Sequence, residues 1–398
     1  MSMVIKKTDA CCPGCGANGL ELFYALQDVP AYSCVLMSSR EEALQCPRGE
    51  IKLGFCRRCG FITNICFDPA TQEFSSRYEE TQGFSACFSG FAKSLAQRLI
   101  DKYDLRNKTI LEIGCGKGEF LTLISQLGNN KGIGVDPTYV AGRNPNEAAG
   151  KLEFITDFYS EKYADMQADM ICCRHTLEHI APVGDFLRML RRTIGKRTNT
   201  LVFFEVPDVH RILNEGAFWD IYYEHCSYFT VGSLARLFRA SGFEIDDLYL
   251  DYDGQYIMIT AYPAAKATAP KLPIENDMPL LTASLEKFKT HCSSRIDFWQ
   301  TALAKSHNNG QKAVIWGSGS KGVAFLSTLE RNDHIEYGVD INPYKQGKFM
   351  PGTGQQIVSP QFLTQYQPGT IIVMNPIYCN EIQRDLDRLQ VAAKLLPV

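Results

Sequence analysis

Residues 108–128, "KTILEIGCGKGEFLTLISQLG", read as an apolar strand, a glycine-rich turn and an apolar helix. The following "KGIGVDPTY", at 131–139, adds a second strand that ends in Asp136. A strand, a turn carrying Gly114, Gly116 and Gly118, a helix and an acid about twenty residues on make a nucleotide-binding βαβ unit, which predicts an α/β fold. A dinucleotide site is the first expectation, but the turn is E-I-G-C-G-K-G with Glu112 inside the strand, not G-x-G-x-x-G. A carboxylate at that place pairs with a cation, whereas a pyrophosphate needs bare amides at the helix N-terminus.

These residues resemble motif I of class I S-adenosylmethionine-dependent methyltransferases. The resemblance implies that Gly114 and Gly116 let the backbone approach the methionine portion of the cofactor, and that Asp136 accepts hydrogen bonds from both ribose hydroxyls. Asp157, in "FITDFYS" after a third predicted strand, is placed at the adenine amino group, with Phe158 packing on the ring.

Further along, "ADMICCRHTLEHI" at 168–180 is a fourth strand. Its His175, Glu178 and His179 match H-x-x-E-H, a zinc-peptidase motif that needs a helix. Here the motif directly follows a buried strand, so both histidines are expected to line the pocket, His175 on the cofactor side. A fifth strand, "TLVFFEVP" at 200–207, precedes "IYYEHCSYFT" at 221–230. This polar and aromatic run should lie above the C-terminal strand ends, where open parallel sheets bind ligands. Glu224 beside His225 is expected to orient the imidazole or raise its basicity.

Toward the N-terminus, "FSGFAKSLAQRLIDKYDL" at 88–105 has Phe88, Phe91, Leu95, Leu99 and Tyr103 spaced about one turn apart and reads as a core helix. Before it, "CCPGCG" and "CRRCG" supply two C-x2-C pairs, Cys12 with Cys15 and Cys56 with Cys59, each followed by glycine. Four thiolates in two such knuckles satisfy a tetrahedral structural Zn²⁺ with no open position for catalysis. Cys11 or Cys46 is an alternative ligand. Beyond residue 262, a stretch rich in proline, alanine and lysine reads as a connection, followed by a helix with Leu281, Leu285, Phe288, Cys292, Trp299 and Leu303 on one face. Then "KAVIWGSGSKGVAFL" carries Gly317, Gly319 and Gly322 as G-x-G-x-x-G, and a second strand ends in Asp340.

Taken together, the paired knuckles, "FWDIYYEHCSYFTVGSLARLF" and "VIWGSGSKG…VDINPYKQGKFMPG" resemble the bacterial deoxysugar C-methyltransferases over nearly the whole chain. The resemblance implies three parts: a zinc-binding domain at 1–75, a central Rossmann-like methyltransferase domain at 76–262 and a Rossmann-like α/β domain at 263–398. It also implies a small-molecule acceptor, a nucleotide-linked keto-sugar. Carried onto this sequence, the catalytic set is Tyr222, Glu224 and His225 with His179 as a second active-site histidine and Tyr78 reaching in from the N-terminal side. Lys321, Tyr344 and Lys345 are groups suited to a diphosphate, so the acceptor is expected in a cleft between the central and C-terminal domains. The other enzymatic readings are O- or N-methylation of another small molecule and a nucleotide-dependent oxidoreductase built on the C-terminal domain.

Composition narrows the partners. With 398 residues, 45% of them hydrophobic, and a formal net charge of −3, the chain has material for several cores and no charge block for nucleic acid or a membrane surface. The N-terminal stretch lacks the apolar core of a secretory signal, and a cytoplasmic address is expected, with the fifteen cysteines reduced or metal-bound rather than paired.

Overall fold

The computed structural model describes residues 6–144, 151–264 and 270–398. Its central sheet runs in the order 243–251, 256–263, 201–207, 170–174, 109–113, 131–135, 151–155. Five of these strands are parallel, and the 243–263 hairpin adds two antiparallel strands at the 201–207 edge. Strands such as Thr109–Ile113 and Leu201–Pro207 are nearly continuous apolar runs because helices cover both faces of the sheet. On one face, helices Ala86–Tyr103 and Glu119–Gly128 bury Leu95, Leu99, Phe120 and Ile124. On the other, Val183–Ile194 and Val231–Ala240 bury Leu187, Leu190, Leu234 and Phe238. The strand order reverses between 109–113 and 170–174, which opens a crevice at their C-terminal ends.

The N-terminal part is an antiparallel sheet of strands 6–7, 21–30, 48–55 and 62–64. Its fifth strand comes from the central domain: Ser227 and Tyr228, inside the polar run at 221–230, pair with Thr63 and Ile62. The C-terminal part is a wholly parallel sheet in the order 356–358, 335–339, 313–316, 370–373, 394–397. It is preceded by helix Met278–Asn308, which buries all six apolar residues of the predicted face.

These parts do not hang on loose tethers. One apolar cluster joins Phe23, Ile51 and Phe55 of the N-terminal sheet, Trp219 and Ile221 of the central domain, and Phe288, Trp299 and Phe325 of the C-terminal part. The predicted connection after 262 lies partly outside the described residues, at 265–269. Its remainder is docked: Glu275 accepts from Arg239, and Asp277 accepts from Arg236 and the Gly232 amide. Among the described residues, no helix is long and apolar enough to cross a membrane.

Candidate active site

All three parts line one cavity of about 1210 Å³ at the crevice of the central sheet. The glycine turn forms one wall. Gly114 has φ +69°, and a Cβ there would stand 2.0 Å from Thr176 Oγ1, so this backbone approach requires glycine. Asp136 accepts from Gly116 N at 2.7 Å, Thr138 N at 2.6 Å and Thr138 Oγ1 at 2.7 Å. Glu112 also reaches the cavity, and burial pushes its carboxyl up to about 8, with Oε2 free of any hydrogen-bond partner. Asp157 and Phe158 stand at the rim: Asp157 accepts from the Phe158 amide and the Tyr163 hydroxyl, while the Phe158 ring is 60% exposed and edge-on to Phe74.

His175, with φ +49°, ends the fourth strand and turns onto Glu205, Nε2 lying 2.8 Å from Oε1. Burial works against a charge on His175, but Glu205 and Glu178 outweigh it and push its pKa up to about 9. The two histidines of H-x-x-E-H therefore do not converge on one position: His175 Nδ1 lies 3.5 Å from Glu178 Oε1, whereas Glu178, His179 and His225 each bring one ligand atom within 4.8 Å of the others. His175 faces Glu205, residues 177–179 form a 3-10 turn rather than an α-helix, and His179 points at His225 instead.

The acidic and aromatic run at 221–230 folds over this end. Tyr222 Oη lies 2.9 Å from His225 Nε2, and the His179 ring meets the His225 ring edge-on at 4.8 Å. Burial, together with His179, His175 and Lys321, holds His225 well below the usual histidine range. Glu224 corrects the expectation drawn from its neighbour. Its Oε1 accepts from Ser33 N at 2.7 Å and Cys34 N at 3.3 Å, and its Oε2 from Tyr78 Oη at 2.9 Å, so it holds the N-terminal part and Tyr78 rather than His225. Adjacent residues on a turn point apart, and the sequence had no signal for the Ser33 and Cys34 amides that draw the carboxylate away.

The C-terminal wall presents Lys321 and Lys345, neither of them a free surface charge. Lys321 Nζ lies 2.9 Å from Asp220 Oδ1, and Arg211 donates to Asp220 Oδ2 at 2.6 Å. Two cations thus share the buried Asp220 carboxylate at the cavity wall, Arg211 also pairs with Glu215 at 2.7 Å, and Arg211 Nε is left without a partner. Asp340 is occupied by the Ser318 and Asn342 amides and by Lys345 at 3.5 Å. Tyr344 is exposed and carries the Arg143 guanidinium 3.2 Å above its ring. Sequence reading missed Asp220, Arg211 and the Arg174–Glu205 pair at 2.5 Å; an acid within the buried run "VFFEVP" was the available signal for the last.

At the N-terminal edge, the Cys12 and Cys59 sulfurs are 3.6 Å apart, as are Cys15 and Cys56, and all four lie within 4.8 Å of one another. A tetrahedron with metal–sulfur bonds of about 2.3 Å has edges of about 3.8 Å, so the set fits Zn²⁺. Cys11 donates to Asn18 and Cys46 to Pro47 O, outside that group.

Comparison with known proteins agrees with this layout. Residues 86–248 match a methyltransferase domain family, and 263–394 match a C-methyltransferase C-terminal domain family. The chain is 25% identical over 343 residues to the C-methyltransferase NovU of Streptomyces niveus, covering 82% of this chain and 80% of that protein. It is 33% identical over 113 residues to the ribosomal protein L11 methyltransferase of Pasteurella multocida (strain Pm70), covering 27% of this chain and 34% of that one. A solved 1,6-didemethyltoxoflavin-N1-methyltransferase from Burkholderia thailandensis aligns at 16% identity with a TM-score of 0.34, over 44% of this chain and 78% of its own. With one family match on the sheet that carries the glycine turn and the other on the domain that closes the cavity, the chain is an S-adenosylmethionine-dependent methyltransferase that resembles bacterial C-methyltransferases across both parts.

Proposed function

We propose that the enzyme methylates a carbon next to a carbonyl of a nucleotide-linked keto-deoxysugar, with His225 as the general base. The carrying observation is the convergence of His225, His179, Tyr222 and the cationic pair Lys321 and Arg211 on the cavity that the glycine turn opens into. S-adenosylmethionine, held by Gly114, Gly116, Asp136 and Asp157 with Glu112, His175 and Phe158 around it, supplies an electrophilic methyl group. The rest of the work falls to the chain. A carbon becomes a nucleophile only by losing a proton made acidic by its neighbouring carbonyl. His225, buried and held well below the usual histidine range, is neutral at physiological pH and keeps a lone pair for that proton. A base so weak needs the enolate oxygen stabilised, and the Tyr222 hydroxyl and the His179 imidazole are the donors at hand. In the His225 tautomer whose Nε2–H donates to Tyr222 Oη, 2.9 Å away, Nδ1 is the atom that takes the proton.

Lys321 and Arg211, whose charges are balanced by Asp220 and Glu215 within the protein, are the cations placed to meet the acceptor's diphosphate. Tyr78 is fixed by Glu224 and closes the same end. The four cysteines hold a structural Zn²⁺ that anchors the N-terminal sheet. His225→Asn should bind the cofactor normally and lose turnover by about 10²–10⁴-fold; unchanged turnover removes His225 from the reaction.

A further inference from the structure

A carboxylate has about four acceptor positions. Asp136 Oδ1 already takes both its donors from Thr138, and Oδ2 takes one from Gly116 N, which leaves a single free position. The cofactor ribose brings two hydroxyls. A second acceptor stands nearby: Glu80, from the segment that enters the central domain, lines the same cavity. Its Oε1 sits 2.4 Å from where a Cβ on Gly116 would be, so the carboxylate lies directly against the turn residue that Asp136 holds from the other side. Its Oε2 is buried with no hydrogen-bond partner.

Lys117 does not satisfy that oxygen. Its Nζ faces the oxygen as an ion pair at 3.5 Å without a hydrogen bond, two of its three donors going to the carbonyls of Tyr78 and Thr138, each at 2.8 Å. Burial, with Asp136 and Glu79 nearby and Lys117 opposing, pushes the Glu80 carboxyl up to about 7, the mark of an acid short of donors.

We propose that Glu80 is a cofactor-binding residue that accepts one of the two ribose hydroxyls of S-adenosylmethionine, Asp136 accepting the other. The inference rests on the cofactor placement proposed above, and its test separates the two. S-adenosylhomocysteine and its 2′-deoxy and 3′-deoxy analogues are titrated calorimetrically into the full-length zinc-loaded protein and its Glu80→Gln variant. Glu80→Gln should weaken S-adenosylhomocysteine by about 10-fold or more. It should leave one deoxy analogue, the one that lacks the hydroxyl Glu80 accepts, bound as in the parent protein, and that unchanged binding also shows the pocket to be intact. Glu80→Ala, which places no amide beside Lys117, should repeat the pattern. No loss with S-adenosylhomocysteine, or the same loss with all three ligands, overturns the role of Glu80. Asp136→Asn tests the placement itself: weakened binding there alongside unaffected Glu80 variants rejects only Glu80, whereas unaffected binding in Asp136→Asn rejects the ribose site.

Discussion

Glu224 shows how far single residues could be read. The sequence marked it as a catalytic candidate, and its placement beside His225 made a dyad the natural expectation; only the fold reveals that its oxygens are filled by Ser33 N, Cys34 N and Tyr78 Oη. Glu224→Gln should therefore lower the denaturation midpoint, by about 1–3 kcal/mol of lost charged acceptor, and leave the His225 titration seen by NMR in place. A moved His225 titration at unchanged stability would restore the dyad. His175 carries a pH dependence of its own. Its folded pKa of about 9 lies above the unfolded value near 6.5, so its pairing with Glu205 contributes stability fully below about pH 6.5 and loses it as pH rises through 9. The difference in thermal midpoint between the parent protein and His175→Gln should be flat from about pH 5 to 6.5 and shrink from there to about pH 9. A difference that grows with pH would contradict the assigned charge.

At the level of elements, the glycine turn and the five parallel strands were legible because period, turn chemistry and terminal acids agree over 108–207. What was hidden is the strand Ser227–Tyr228, two residues that no periodicity can mark and that exist only because Ile62 and Thr63 offer an open edge. Through it the N-terminal sheet fixes the histidine end of the cavity. Gly114→Ala combines a left-handed φ with a collision on Thr176, and equilibrium binding should show S-adenosylhomocysteine weakened by at least about 10-fold, since backbone strain alone is about 1–2 kcal/mol. Binding like that of the parent would mean the turn has room to spare. Cys56→Ser should release zinc, read by atomic emission at about one metal per parent chain. It should depress turnover more than cofactor affinity, because the edge it supports carries Ser33, Cys34 and Tyr78 rather than the glycine turn. Zinc retained in full would reassign the ligand.

For the molecule as a whole, sequence composition shows a break after 262, yet the structure closes it. The long-range cluster around Trp219, Phe288 and Trp299 has no local signature, since its members come from three distant segments. Trp299→Ala should cost about 3–5 kcal/mol and move the unfolding seen at the N-terminal sheet and at the C-terminal domain together; destabilisation confined to the C-terminal domain would mean the parts fold separately. The same closure explains why the cavity needs every part: the glycine turn, the histidines held against the N-terminal sheet, and the cations of the C-terminal wall meet only in the assembled chain. The most direct test is NMR of the product formed from S-adenosylmethionine labelled with ¹³C at its methyl group and nucleotide-linked keto-deoxysugars, run in parallel with His225→Asn. The expected spectrum shows the label bonded to a carbon adjacent to the carbonyl, and no such signal with the variant. A label bonded to oxygen or nitrogen, or an equally strong carbon-bound signal from His225→Asn, would contradict the account.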